Sequence, residues 1–237
     1  MKESGNIFEF FRGKLKLIQP KKHKVSVDLV VFLSKIRGIK RDSRVIDLGA
    51  GFGFLSIALA LKFGCKVWAV ERDKLMLSLL EENIKLNDVS DVVEVVPADV
   101  RFLREKFTRG SFDVVVSNPP FYPESYGVND GGFHFEKDTT LKDFLNTASH
   151  LLRDGGYANF LSPAFRLREL VCGMEKVNLR VRFLSLIYPT LIKGAKLCCA
   201  SALRNVPGPM TLDAPVVLND PAGGYTEGIE SLLESFL

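Results

Sequence analysis

The stretch Val45-Ile46-Asp47-Leu48-Gly49-Ala50-Gly51-Phe52-Gly53 constrains the fold more than any other part of the chain. A short run of buried-strand type ends in an acid, crosses three glycines at alternate positions and enters helical spacing over Phe54–Lys62. A glycine turn between strand and helix lets backbone approach a ligand closely, with a helix N-terminus behind it. Glycine turns of purely structural purpose are also common, so the rest of the chain must decide.

It continues in the same style. Lys66–Val70 is a second buried run, and Lys74–Leu86 follows as an amphipathic helix with Asp73 as its N-cap. Val92–Val96, Phe112–Val116 and Tyr157–Leu161 are further apolar runs, with helical patterns at Leu141–Leu152 and Ala164–Val177. This alternation predicts an α/β, Rossmann-like fold: a mostly parallel sheet with helices on both faces. Near the end, Arg180–Tyr188 and Ala195–Arg204 are β-type runs joined by Pro189–Gly194, which predicts an antiparallel hairpin. With 237 residues, 46% of them hydrophobic, such a chain buries roughly 70% of its unfolded surface and needs no metal or disulfide to fold. The expected division is a basic N-terminal extension over 1–40 and a main domain over 41–237. Tyr122–Thr139 has no periodicity, and loops of that length tend to be functional.

Two further acids join the glycine turn. A dinucleotide site would want a third glycine where Phe54 stands; the pattern here is D-x-G-x-G-x-G. An acid at the strand tip repels a pyrophosphate and suits a ligand with a positively charged amino group. That points to S-adenosylmethionine, held by Asp47, Gly49, Gly51 and Gly53. Glu71 closes the next strand, where a carboxylate can accept hydrogen bonds from both ribose hydroxyls. Asp99, after the third strand, is placed to meet an adenine amino group or to cap the helix that follows, and the two roles are compatible.

The most specific motif is Asn118-Pro119-Pro120-Phe121, which leaves the strand Asp113–Val116 at the edge where open α/β folds place ligands. Two prolines fix the backbone. They hold the Asn118 amide oxygen and the Pro119 carbonyl as two acceptors, matching the two N–H donors of an exocyclic amine. Phe121 is positioned to stack on the flat group that carries the amine. Asn118 also borders the cofactor.

Together, the glycine turn, the acidic strand end and this motif resemble class I S-adenosylmethionine-dependent methyltransferases of the amino-methylating type. The motif occurs in enzymes acting on adenine N6, guanine N2 and glutamine N5. A closer resemblance covers nearly the whole chain. Leu17-Ile18-Gln19-Pro20-Lys21-Lys22 with Val25–Val30, and Ala214–Asp220 with Gly224-Tyr225-Thr226-Glu227, are similar to the bacterial tRNA1(Val) adenine-37 N6-methyltransferase family. That resemblance implies a seven-stranded sheet of order 3-2-1-4-5-7-6 and methyl transfer to the N6 amine of an adenine in tRNA. The chain departs from the family pattern at His134-Phe135-Glu136 and at Arg204–Gly208, regions that touch RNA on this reading. Two alternatives stand beside it: a glutamine-N5 methyltransferase of a release factor or an rRNA amino-methyltransferase, and a non-catalytic S-adenosylmethionine- or RNA-binding module.

Charge bears on the partner. Residues 1–40 hold ten Lys or Arg against three acids, whereas no Lys or Arg follows Arg204 and five acids do. A basic end suits a polyanion, with Lys21, Lys22, His23 and Lys24 as the RNA contacts, or is simply a solvated surface. The three histidines (His23, His134, His150) have no metal spacing, so no metal is expected. Cys65, Cys172, Cys198 and Cys199 read as reduced thiols of an intracellular protein. No apolar stretch approaches the roughly 20 residues of a membrane span, and Met1–Phe11 has no signal-peptide pattern. The expectation is a cytoplasmic monomer.

Overall fold

The computed structural model describes residues 6–20, 24–120 and 139–237, with the backbone of 122–123 and 135–136. A hairpin of β1 (Ile7–Phe10) and β2 (Leu15–Ile18) comes first, then α1 (Val27–Lys35). The alternating part runs β3 (Arg44–Leu48), α2 (Phe54–Phe63), β4 (Lys66–Glu71), α3 (Lys74–Leu86), β5 (Val93–Pro97), α4 (Leu103–Lys106) and β6 (Phe112–Ser117). Two-residue strands β7 (Tyr122–Pro123) and β8 (Phe135–Glu136) pair with each other. Next come α5 (Leu141–Leu151), β9 (Leu152–Pro163), α6 (Leu167–Lys176), β10 (Leu179–Tyr188) and β11 (Leu197–Arg204). Short strands β12 (Thr211–Leu212) and β13 (Val216–Val217) precede α7 (Glu227–Ser235).

The main sheet has the order β12-β10-β11-β9-β6-β3-β4-β5, with β13 also on β10. Strands β5, β4, β3, β6 and β9 are parallel. β11 runs antiparallel between β9 and β10, forming the expected hairpin. The seven long strands thus follow the order 3-2-1-4-5-7-6, and the two short strands beside β10 bring the sheet to nine. Val45, Ile46, Leu48, Val114, Val115 and Val116 are fully buried, as strands covered by helices on both faces must be. Cys198 packs into one core cluster and Cys199 into the other, so adjacent thiols serve opposite faces of the sheet.

Two local differences from the sequence reading have physical causes. β9 starts at Leu152 rather than Tyr157, and its pairing with β6 is irregular between Phe112 and Val114. Gly155 sits at φ +75°, and a Cβ on Gly156 would stand 2.8 Å from the Asp113 carbonyl. The glycines that the irregular strand requires are what break its apolar pattern. The pattern at Ala164–Val177 begins as one 3-10 turn before α6.

The described part of the first forty residues is built into the main core. Phe11, Leu15, Leu17 and Val30–Leu33 belong to the same buried cluster as Val45 and Ile57. Charges follow that packing. Arg12 Nη2 lies 2.5 Å from Glu234 Oε2, Lys14 Nζ donates to the Leu237 carbonyl, and Arg37 Nη2 spans both Asp213 oxygens at 2.9 and 3.1 Å. Part of the uneven charge along the chain is therefore pairing between its two ends, an outcome beyond the polyanion and the solvated surface.

Candidate functional site

Because β5, β4, β3 and β6 are neighbours and parallel, the segments that leave them lie along one edge. Asp99, Glu71, the glycine turn and Asn118 follow one another there. Three strand spacings separate the first from the last, about 14 Å. That is the length of a nucleoside with an amino-acid side arm.

Glu71 is the keystone of the middle. Its Oε2 accepts from the Gly51 N–H at 2.8 Å, and its Oε1 accepts from the Arg72 and Asp73 N–H groups, each at 2.8 Å. Of roughly four lone-pair positions on a carboxylate, three are used, which leaves one on a half-buried side chain. The turn also satisfies itself. The Gly49 and Ala50 N–H groups donate to the Val70 carbonyl, and the Gly53 N–H donates to the Ala50 carbonyl. These amides are not on offer to a pyrophosphate. Gly51, at φ +57°, has no protein atom within 4 Å of where a Cβ would be, so it borders open space. Gly53 serves packing: at φ +97°, its Cβ would come within 2.5 Å of Leu80.

Asp47 sits beneath the turn, fully buried. Its Oδ2 accepts from Ser56 Oγ at 2.6 Å, while Oδ1 is buried without a partner. Burial pushes its pKa up to about 7; the Ser56 hydrogen bond opposes the rise and the nearby Glu71 charge adds to it. Asp99 caps the 3-10 turn after β5, with Oδ1 accepting from the Arg101 N–H at 2.9 Å. Arg101 Nη2 and Arg72 Nη1 both reach Oδ2, at 2.9 and 2.8 Å. Burial alone would raise the Asp99 pKa; hydrogen bonds from Arg101 and Arg72 overcome that and bring it down to about 2. An adenine amino group would have to displace one of these arginine donors.

At the other end, Ser117 Oγ donates to the Leu48 carbonyl at 2.8 Å and ties the end of β6 to the start of the glycine turn. Asn118 follows with its Oδ1 buried and without a donor, and Pro119 is buried behind it. A buried acceptor left open costs about 1–3 kcal/mol, so Asn118 Oδ1 is able to accept a hydrogen bond from a ligand.

Phe121, Lys21, Lys22 and His23 lie outside the described residues. Lys24 is exposed, with Nζ 5.8 Å from the centre of the Phe8 ring. Sequence reasoning missed Arg72, whose Nη1 also donates to Thr139 Oγ1 at 3.0 Å and so joins Asp99 to the foot of α5. Its only sequence signal is adjacency to Glu71. Ser56, the partner of Asp47, carries none. The edge presents Glu71 and Asn118 as acceptors around an open glycine, with the Asp47 carboxyl buried beneath it, which fits a ligand that brings donors and positive charge, as S-adenosylmethionine does. Among the described residues no cluster of His, Cys, Asp and Glu could hold a metal ion, and no helix is long and apolar enough to cross a membrane.

Residues 26–167 match the family model of the methyltransferase small domain. A tRNA1(Val) (adenine(37)-N6)-methyltransferase of Tolumonas auensis is 30% identical over 155 residues, 62% of this chain and 62% of that protein. A putative protein N5-glutamine methyltransferase of Methanocaldococcus jannaschii is 32% identical over 149 residues, 63% of this chain and 66% of that protein. The chain thus spans less than two thirds of either relative. Among solved structures, a predicted O-methyltransferase of Agrobacterium tumefaciens superposes with a TM-score of 0.68 at 22% identity, covering 86% of this chain and 94% of that one. That likeness concerns the fold.

Proposed function

The chain belongs to the methyltransferase small domain family, and on that premise we propose that it methylates the exocyclic N6 amine of an adenine in tRNA, at position 37 of a valine tRNA. The fold implies S-adenosylmethionine as the cofactor, which supplies an electrophilic methyl group when bound. The observation that carries the reading is the buried, donor-less Asn118 Oδ1 at the end of β6, beside the glycine turn.

Each residue then has a task at a stated atom. Glu71 receives a ribose hydroxyl on its remaining lone pair, its orientation fixed by three backbone donors. Asn118 Oδ1 and the Pro119 carbonyl accept the two N–H groups of the adenine amine. Held that way, the amine turns its lone pair out of conjugation with the ring and becomes a better nucleophile. Pro119 and Pro120 keep both acceptors in place, so alignment and exclusion of water supply much of the acceleration. The extra proton departs to solvent after transfer, so no general base is needed. An anticodon-loop adenine is unpaired and costs little to extrude, and such a substrate puts the reaction in the cytoplasm.

A second reading is favoured by the N5-glutamine relative: a side-chain amide also offers two N–H donors to the same acceptors. The test is where label goes. Purified protein is given labelled S-adenosylmethionine with unmodified tRNA and, separately, with a release factor. Label in tRNA is the expected result; label in the release factor alone replaces the substrate with a protein.

A further inference from the structure

The turn between β10 and β11 lies on the same edge of the sheet as Asn118. β9 ends beyond the end of β6, Leu197 of β11 pairs with Pro163 of β9, and the Ala164 N–H donates to the Lys196 carbonyl at 3.0 Å. The turn is two to three strand spacings from the end of β6, about 10–14 Å. It carries the two most exposed large apolar side chains among the described residues, Ile192 at 94% and Leu191 at 75%. Phe165, across the Ala164–Lys196 contact, is 55% exposed.

The base of the turn is fastened on both sides. The Lys196 N–H donates to the Ile187 carbonyl at 2.8 Å, the Lys193 N–H to the Thr190 carbonyl at 3.2 Å, and Asn219 Nδ2 to the Pro189 carbonyl at 2.9 Å. Two apolar side chains are thus presented to solvent on a braced support at the rim of a catalytic edge. Between Pro189 and Lys196 there are two lysines and no acid. Lys196 is held 2.6 Å from Asp28, and Lys193 is exposed.

We propose that this turn is a docking element for the single-stranded RNA beside the methylated adenine. On this assignment Leu191 and Ile192 pack against the faces of neighbouring unpaired bases and Lys193 meets a phosphate. It rests on the tRNA reading above. Every base has an apolar face, so contact with aliphatic side chains is tolerant of sequence. Lys193, exposed on the turn, adds the salt-dependent part of the affinity. Two apolar side chains beside one exposed lysine suit a partner with flat apolar faces and negative charge, features that single-stranded RNA combines and a neutral or basic peptide does not.

The test compares the full chain with its Leu191→Ser/Ile192→Ser variant and, separately, Lys193→Glu. Affinity for unmodified tRNA is measured across a salt series, alongside affinity for S-adenosylmethionine and thermal stability. The exposed positions leave folding and cofactor affinity unchanged. The expected result is tRNA binding weakened about tenfold by the double serine variant, with the slope of log K against log salt reduced by about one in Lys193→Glu. Equal tRNA affinity in wild type and double variant overturns the proposal. So does a variant that keeps tRNA but loses a release factor. Should the wild type bind tRNA through the turn yet transfer no methyl to it, the docking element stands and the tRNA reaction falls.

Discussion

The two halves of the proposed catalytic edge are built differently. On the cofactor side, polar groups already satisfy one another: Glu71 takes three backbone donors, Asp99 takes two arginines, and the glycine-turn amides donate to Val70 and Ala50. On the transfer side, Asn118 Oδ1 is buried without a donor, and Leu191 and Ile192 stand in solvent. The first half is pre-organised by its own bonds, so a ligand there meets a formed network, adding to it at Glu71 and displacing an arginine donor at Asp99. The second half leaves groups unmet, which on the proposed reading await the substrate. Asp47 is the exception on the cofactor side, since its Oδ1 is also unpartnered and burial pushes its carboxyl pKa up to about 7.

That contrast can be broken by substitution. Asn118→Ala has the largest expected effect. Turnover falls roughly 10²–10³-fold through lost alignment, while calorimetry finds S-adenosylmethionine bound as in wild type. Equal loss of cofactor would merge the two halves into one network. Glu71→Ala acts on the finished side, where three backbone N–H groups lose their acceptor. Cofactor affinity drops about tenfold or more, and denaturant titration shows stability lower by about 1–3 kcal/mol. An intact melting midpoint would mean those bonds organise nothing.

Asp47→Asn tests the exception. A carboxyl whose folded pKa is raised to about 7 keeps its proton in the native state while the unfolded chain has lost it above its ordinary value of 3.8. Native stability therefore falls as pH rises from about 4 through 7. The Asn variant removes that slope, so its melting temperature varies less than wild type over this window; parallel curves would place the titration elsewhere. The smallest effect belongs to the exposed pair Arg12–Glu234, with side chains 72% and 59% exposed. A double-mutant cycle should give a coupling under about 1 kcal/mol; a larger value would give the ion pair a part in holding the chain ends together.

Much of this was legible in the sequence because the relevant signals are local. Alternating runs fixed the parallel strands, the glycine turn is contiguous, and Asn118-Pro119-Pro120 follows its strand directly. What was not legible depends on distant partners. Leu29–Leu33 of α1 is an unbroken apolar run, so its helix comes from burial rather than from periodicity. The hairpin of β1 and β2 is too short to announce itself, and Asn83 of α3 holds it by accepting from the Ile18 N–H at 2.7 Å. Arg72, after β4, meets Asp99, after the neighbouring β5, and Arg12 meets Glu234 from the far end of the chain. Nothing near Arg72 or Arg12 in the sequence shows a partner.

The central claim is that Asn118 and Pro119 present two acceptors to an exocyclic amine. The most direct measurement is the chemical identity of the methylated product: unmodified tRNA is incubated with the protein and labelled S-adenosylmethionine, digested to nucleosides and separated. N6-methyladenosine is the predicted result. Label on a ring nitrogen, a base carbon or a ribose oxygen would contradict the account, because none of those sites offers the two N–H donors that the end of β6 is built to receive.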